Sequence, residues 1–204
     1  MKYISFTYVD SVTGASVAKI PAANGPKFPD IKGLQFVRAR ESRYPTATPE
    51  FFGVCDDDAD LEIPGVLAAM DEARWRAAVL TELREQATAV RWSVMTGGME
   101  LPGGIRVGTT IDDQNRITSV VANAALAGLA DEDEVDFKSL GGWIKISIGQ
   151  VKVIAGAIGQ HVQACYTAER AHHEAIDLLD TPTDMNEYNV YAGWPDLEPE
   201  PETT

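Results

Sequence analysis

Residues 151–179 read VKVIAGAIGQHVQACYTAERAHHEAIDLL. Apolar or small side chains return along this stretch at alternating steps of four and three: Val151, Ala155, Ile158, Val162 and Cys165, continued in the same register by Glu169, His172, Ile176 and Leu179. Steps of that kind keep one stripe of an α-helix turned toward a neighbouring helix along its whole length. No other segment of the chain is so regular. A helix made to be gripped from end to end argues for a scaffold or adaptor before it argues for an enzyme.

A second seam starts at Asp71, where Ala73, Arg76, Leu80, Leu83, Ala87, Val90 and Val94 recur at steps of three and four. Asp71 and Glu72 occupy the dipole-favoured start, and Gly97-Gly98 ends the run. Written antiparallel with Val94 opposite Val151, the two seams bring Leu83 to Val162 and Arg76 to Glu169. The apolar positions set that offset, and the opposite charges of Arg76 and Glu169 meet without being asked to. The competing arrangement packs each seam against a symmetry mate.

Between the seams, Met99-Glu100-Leu101, a Pro-Gly-Gly turn and Ile105–Thr110 read as a β-hairpin. Asp112 or Asp113 is expected to cap a shorter helix running to about Leu129, with Ile117, Val120, Val121, Ala124 and Leu126 on its apolar side. The acidic run after it is a loop. A second hairpin follows, with Val135–Lys138 and Trp143–Ile146 flanking Leu140-Gly141-Gly142. Ser147 and Gln150 then form a capping box at the start of the long helix.

Residues 1–64 have a different grain. Tyr3–Val9, Leu34–Ala39 and Phe51–Cys55 mix aromatic and β-branched residues, Thr13-Gly14 supplies turn chemistry, and Pro21, Pro26, Pro29 and Pro45 forbid long regular elements. The fold class expected is therefore α+β. A small loop-rich β N-terminal module covers 1–64. An antiparallel long-helix pair bearing a small antiparallel sheet and a short helix covers 65–180. An acidic, aromatic-containing C-terminal tail covers 181–204. That tail has too little apolar content for a core of its own. Tyr188, Tyr191 and Trp194, three residues apart, mark it as a docking peptide that lies on a partner or on its own domain.

Charge narrows the choice of partners. Seventeen basic residues stand against 31 acidic ones, for a formal net charge of −14. A field of that sign repels phosphate backbones and anionic headgroups, so neither nucleic acid nor a membrane is expected as a partner. The first ten residues, MKYISFTYVD, lack a cationic segment followed by an apolar one, and no stretch approaches the length of a membrane span. Host cytosol, or a particle assembled there, is the expected location. Cys55 and Cys165 are read as reduced thiols, since two cysteines make no disulfide framework.

Candidate chemistry is thin. His161, Cys165, Glu169 and His173 stand four apart on the long helix, but a four-residue stripe drifts around the axis and presents only two ligands at once. Asp56, Asp58 and Asp60 begin like a calcium loop, which then fails at Leu61, where glycine is required, and at Leu67, where a bidentate glutamate belongs. The Gly-Gly steps lack the Lys-Ser/Thr ending of a phosphate loop. All three histidines sit in one helix, so no Ser-His-Asp set can be assembled. Neither a cofactor, a metal nor a catalytic residue is expected.

Several segments together carry a resemblance. They are Trp92-Ser93-Val94-Met95-Thr96-Gly97-Gly98-Met99, Gly104-Ile105-Arg106-Val107, Val135-Asp136-Phe137-Lys138, Gly142-Trp143-Ile144 and His161-Val162-Gln163-Ala164-Cys165-Tyr166. Over about residues 75–180 the chain resembles a phage-associated domain of unknown function found at the C-terminal end of tail and tail-fibre-assembly proteins. That family runs from a helix into a TGG turn, a short strand, an N-capped helix, a hairpin ending in Gly-Trp and a long helix with a His-Val-Gln-Ala core. All six parts occur here in order. The opening MKYISFTYVDSVTGASVAKIP, with ARESRYPT and TPEFFGVC, is similar to the start of small phage tail proteins.

The resemblance implies a non-enzymatic tail structural or adaptor protein, attached to fibres or baseplate and resident in the virion. Its partners would be other tail or fibre proteins and further copies of itself, as dimer or trimer. The alternative it implies is a tail-fibre assembly chaperone absent from finished particles. Arg76, Glu169 and His172 in the seams, with Tyr188, Tyr191 and Trp194 in the tail, are the interaction candidates. Glu169→Leu is expected to raise thermal stability while loosening the oligomer, since buried polar seam residues trade one for the other.

Overall fold

The computed structural model describes residues 1–7, 32–40, 50–61, 67–101 and 104–195. It is a mixed α and β protein whose chain divides into two compact units. One comprises Met1–Gln86 with Glu174–Asn189, and the other Ala87–His173 with the described residues from Val190. The two long helices, α1 (Glu72–Thr96) and α3 (Ile148–Asp177), each contribute to both units, so neither unit is a single run of sequence.

The first unit is built on an antiparallel sheet of order β2-β3-β1-β4, formed by β1 (Lys2–Phe6), β2 (Leu34–Arg40), β3 (Glu50–Cys55) and β4 (Leu67–Met70). Strands β1, β2 and β3 fall where the aromatic and β-branched runs place them. β4 does not: Leu67-Ala68-Ala69-Met70 has little intrinsic β preference and gains its strand state by pairing Tyr3 with Met70 through Phe6 with Leu67. The Thr13-Gly14 turn, Val9 and the four N-terminal prolines lie outside the described residues.

Strand β3 is interior, and Phe51 to Cys55 are buried without a break. On β1 only alternate residues, Ile4 and Phe6, are buried. Phe6 stacks on Phe51 with centroids 5.5 Å apart, and Tyr3 meets Trp75 of α1 at 5.3 Å. Trp75, Val79 and Leu83 are fully buried, which makes this the inward stripe of α1 in the unit. Ala73, expected in the seam, is exposed. The short α4 (Pro182–Glu187), capped by Thr181 with Asp184, buries Met185 completely.

In the second unit two hairpins and a helix close over the start of α3. Strands β5 (Met99–Leu101) and β6 (Ile105–Val107) pair, as do β7 (Glu134–Ser139) and β8 (Gly142–Ser147). Gly98 (φ +90°) makes the sharp exit from α1, where a side chain would press on the Val107 carbonyl. Of the first hairpin's expected turn, Pro102 and Gly103 lie outside the described residues. Helix α2 (Ile111–Leu126) is capped by Thr110 rather than by Asp112 or Asp113. Asp113 is instead the third helical residue and bonds back to Thr110, completing a capping box.

Leu101, Val107, Ile117, Phe137, Ile146, Val151, Ile154 and Ile158 form one buried cluster, drawn from β5, β6, α2, both strands of the second hairpin and α3. The start of α3 matches its expected box. Gln150 N–H donates to Ser147 Oγ at 3.2 Å, and Ser147 N–H donates to Gln150 Oε1 at 2.8 Å. Val151, Ile158, Cys165, His172 and Ile176 of the seam are all buried.

Candidate interaction site

Arg91 and Glu169 form the centre of the second unit's polar chemistry. Arg91 Nε lies 2.9 Å from Glu169 Oε2, with side chains only 10% and 15% exposed. The guanidinium also sits 4.7 Å from the Tyr166 ring centroid and 5.9 Å from that of Trp92, while Nη1 donates to Met95 Sδ at 3.5 Å. The carboxylate and the two rings attract the cation electrostatically, while the buried Arg91 Nε makes no well-aligned hydrogen bond among the described residues. About two turns back along α3, His161 Nε2 lies 3.3 Å from the Val94 carbonyl oxygen, and Cys165 Sγ lies 3.8 Å from the same nitrogen. These contacts run in opposite directions along the two helices, so the end of α1 is antiparallel to the middle of α3.

The expected Arg76–Glu169 pair does not form. In the first unit Arg76 binds Asp180 instead, with Nη2 3.0 Å from Oδ1, and its Nη1 donates to the Asp180 carbonyl. Arg84 is held by Asp177. Relative to the expected register, the partner of Glu169 has moved fifteen residues along α1, from Arg76 to Arg91. The buried residues here are Arg91 and Met95 rather than the expected Val90 and Val94, so the seam read from apolar spacing lies beside the stripe that packs.

His172 is buried, and the C-terminal segment folds over it. Its Nε2 donates to the Ala192 carbonyl at 3.0 Å, and the Trp194 ring stacks on the imidazole with centroids 4.9 Å apart and an interplanar angle of 21°. Trp194 returns its indole N–H to the Val190 carbonyl at 2.8 Å, so a tight turn presents the ring. Val190 and Trp194 are buried, whereas Tyr191 is half exposed. Burial is the main cause that pushes the His172 pKa below its ordinary value. The neighbouring His173 acts in the same direction, and the Ala192 hydrogen bond opposes both.

Tyr188 belongs to the first unit, where burial raises its phenol pKa, and Trp194 and Tyr191 belong to the second. Of the six candidates, Glu169, His172 and Trp194 are buried against their own chain, and Arg76 is occupied by Asp180. The sequence reading missed Arg91, although it is the lone charged residue between Gln86 and Met99. Among the described residues, no three His, Cys, Asp or Glu side chains converge as a metal ion requires. No described helix is long and apolar enough to cross a membrane.

A family model described as a domain of unknown function, DUF4376, matches residues 76–190, more than half of the chain, and the chain belongs to that family. No curated protein and no solved structure matches it.

Proposed function

We propose that this DUF4376 family member is a non-enzymatic structural adaptor of a phage tail, held at the fibres or baseplate, that docks or oligomerises through its long helices and its C-terminal segment. The reading is supported first by the ordered motifs of residues 75–180, which resemble the tail-associated domain. The observation that carries it furthest is the Arg91–Glu169 clamp. Two ionisable groups of the second unit are spent on joining two helices, are largely withdrawn from solvent, and have the Tyr166 and Trp92 rings beside the guanidinium. A group that must touch substrate needs an open approach, and a helix clamp does not.

Its host compartment in this reading is the cytoplasm during assembly and the virion tail afterwards. Electron microscopy of particles made without this chain tests the reading. Tails lacking fibres, or with an incomplete baseplate, are the expected result. Particles of normal morphology and infectivity overturn it.

A further inference from the structure

The second unit is completed by a piece of chain that returns to it. The unit runs from Ala87 to His173, the chain then belongs to the first unit over Glu174–Asn189, and Val190 begins the return. Val190-Tyr191-Ala192-Gly193-Trp194-Pro195 is therefore a detached arm, held on the second unit by contact rather than by continuous backbone.

The contacts of the arm are few and sharply divided. Val190 and Trp194 are buried, while Tyr191, Ala192 and Gly193 between them are exposed. Gly193, at φ +77°, makes the turn, and the Trp194 indole N–H closes it on the Val190 carbonyl, so the arm shapes its own plug. His172 of α3 supplies the seat: its ring stacks on Trp194, and its Nε2 donates to the Ala192 carbonyl. From Asn189 to Pro195 there is no Asp, Glu, Lys or Arg, so the plug can leave its seat and be replaced without an ion pair being broken or remade.

We propose that this seat accepts the arm of a second copy as well as its own, so that neighbouring chains are joined by exchange of Val190–Trp194. The inference rests on the oligomerising reading above and adds the segment exchanged and the site that receives it. The seat itself identifies the occupant, because the sequence that fills it is carried by every copy. Exchange reproduces each contact of the arm, and the cost it adds is that of bringing two chains together. An arm tethered to its own seat competes at an effective concentration of about millimolar. Dilute chains close on themselves, and copies packed side by side exchange.

Two full-length variants, each lacking one half of the contact, test the proposal. Trp194→Ala keeps the seat and loses the plug, whereas His172→Ala keeps the plug and loses the ring on which it stacks. Mixed in equal amounts, they should form a one-to-one dimer in sedimentation velocity, associating at least about tenfold more tightly than either variant does with itself. A second measurement needs only one folded variant. A fluorescently labelled peptide of residues 189–195 should bind Trp194→Ala at least about tenfold more tightly than it binds the natural chain, whose seat is already filled. A mixture that stays monomeric while both variants keep their helical circular dichroism overturns the proposal. So does pairing that survives when the His172→Ala chain also carries Trp194→Ala, and so does peptide binding that is absent or equal for the two chains. A monomeric mixture with the chain still present in purified particles would remove the exchange and leave the adaptor reading standing. Exchange by a chain absent from particles would do the reverse.

Discussion

Glu169 of α3 holds the guanidinium of Arg91 on α1 at 2.9 Å, and neither side chain has more than a small fraction of its surface in water. The pair reverses the sign of one expectation. Read from the seam as a polar residue that sets register, Glu169 should be replaceable by leucine with a gain in stability. In the structure its removal strands the buried Arg91 cation. Glu169→Leu is now expected to destabilise by about 3 kcal/mol, with Arg91→Met comparable alone. The double change should recover much of the loss. Chemical denaturation of all four proteins measures the coupling, and additive losses would contradict the clamp.

The stacked ring of Trp194 is the anchor of the C-terminal segment. Trp194→Ala removes a buried aromatic, its indole bond to Val190 and its contact with His172, for a loss of about 3 kcal/mol. The segment should then open locally, and hydrogen exchange at residues 190–194 should speed up while Val151 to Ile158 stay protected. Unchanged exchange across the segment would show that the ring does not hold it.

The same contact should depend on pH. Burial lowers the His172 pKa below its ordinary value of 6.5, so the unfolded chain binds this proton more readily than the folded one. Stability from neutral His172 is therefore complete above pH 6.5 and is lost as pH falls from there through the folded-state pKa. Thermal midpoints recorded between pH 7 and pH 5 should decline more steeply for the natural chain than for His172→Gln, which cannot titrate. Parallel profiles would remove His172 as the cause.

At the start of α3, Ser147→Ala breaks the box with Gln150 and should cost about 1 kcal/mol. Thr110→Ala, which ends the equivalent box on α2, should cost a similar amount. Thermal unfolding of each variant measures the change.

How legible these features were depends on whether they are local. The α3 stripe was readable because burial follows its seven-residue repeat: Val151, Ile158, Cys165 and His172 are all inside. The Ser147 box was readable because both partners lie within four residues. The helix register was not, since the residues of α1 that pack include the charged Arg91, which an apolar pattern passes over. The cap of α2 depends on backbone geometry, which alone separates Thr110 from the equally suitable Asp112 and Asp113. β4 is strand only because β1 lies beside it. Trp194 and His172 were each singled out, one by aromatic spacing and one by the seam. Their contact needed the chain to reverse between α3 and Val190, which neither pattern encodes.

Quantitative mass spectrometry of purified phage particles against host lysate is the most direct test of the structural-adaptor account. The account predicts this chain in the particle at a fixed copy number, a multiple of three or six as tail symmetry demands. Abundance in lysate with absence from finished particles would contradict it and make the chain an assembly chaperone.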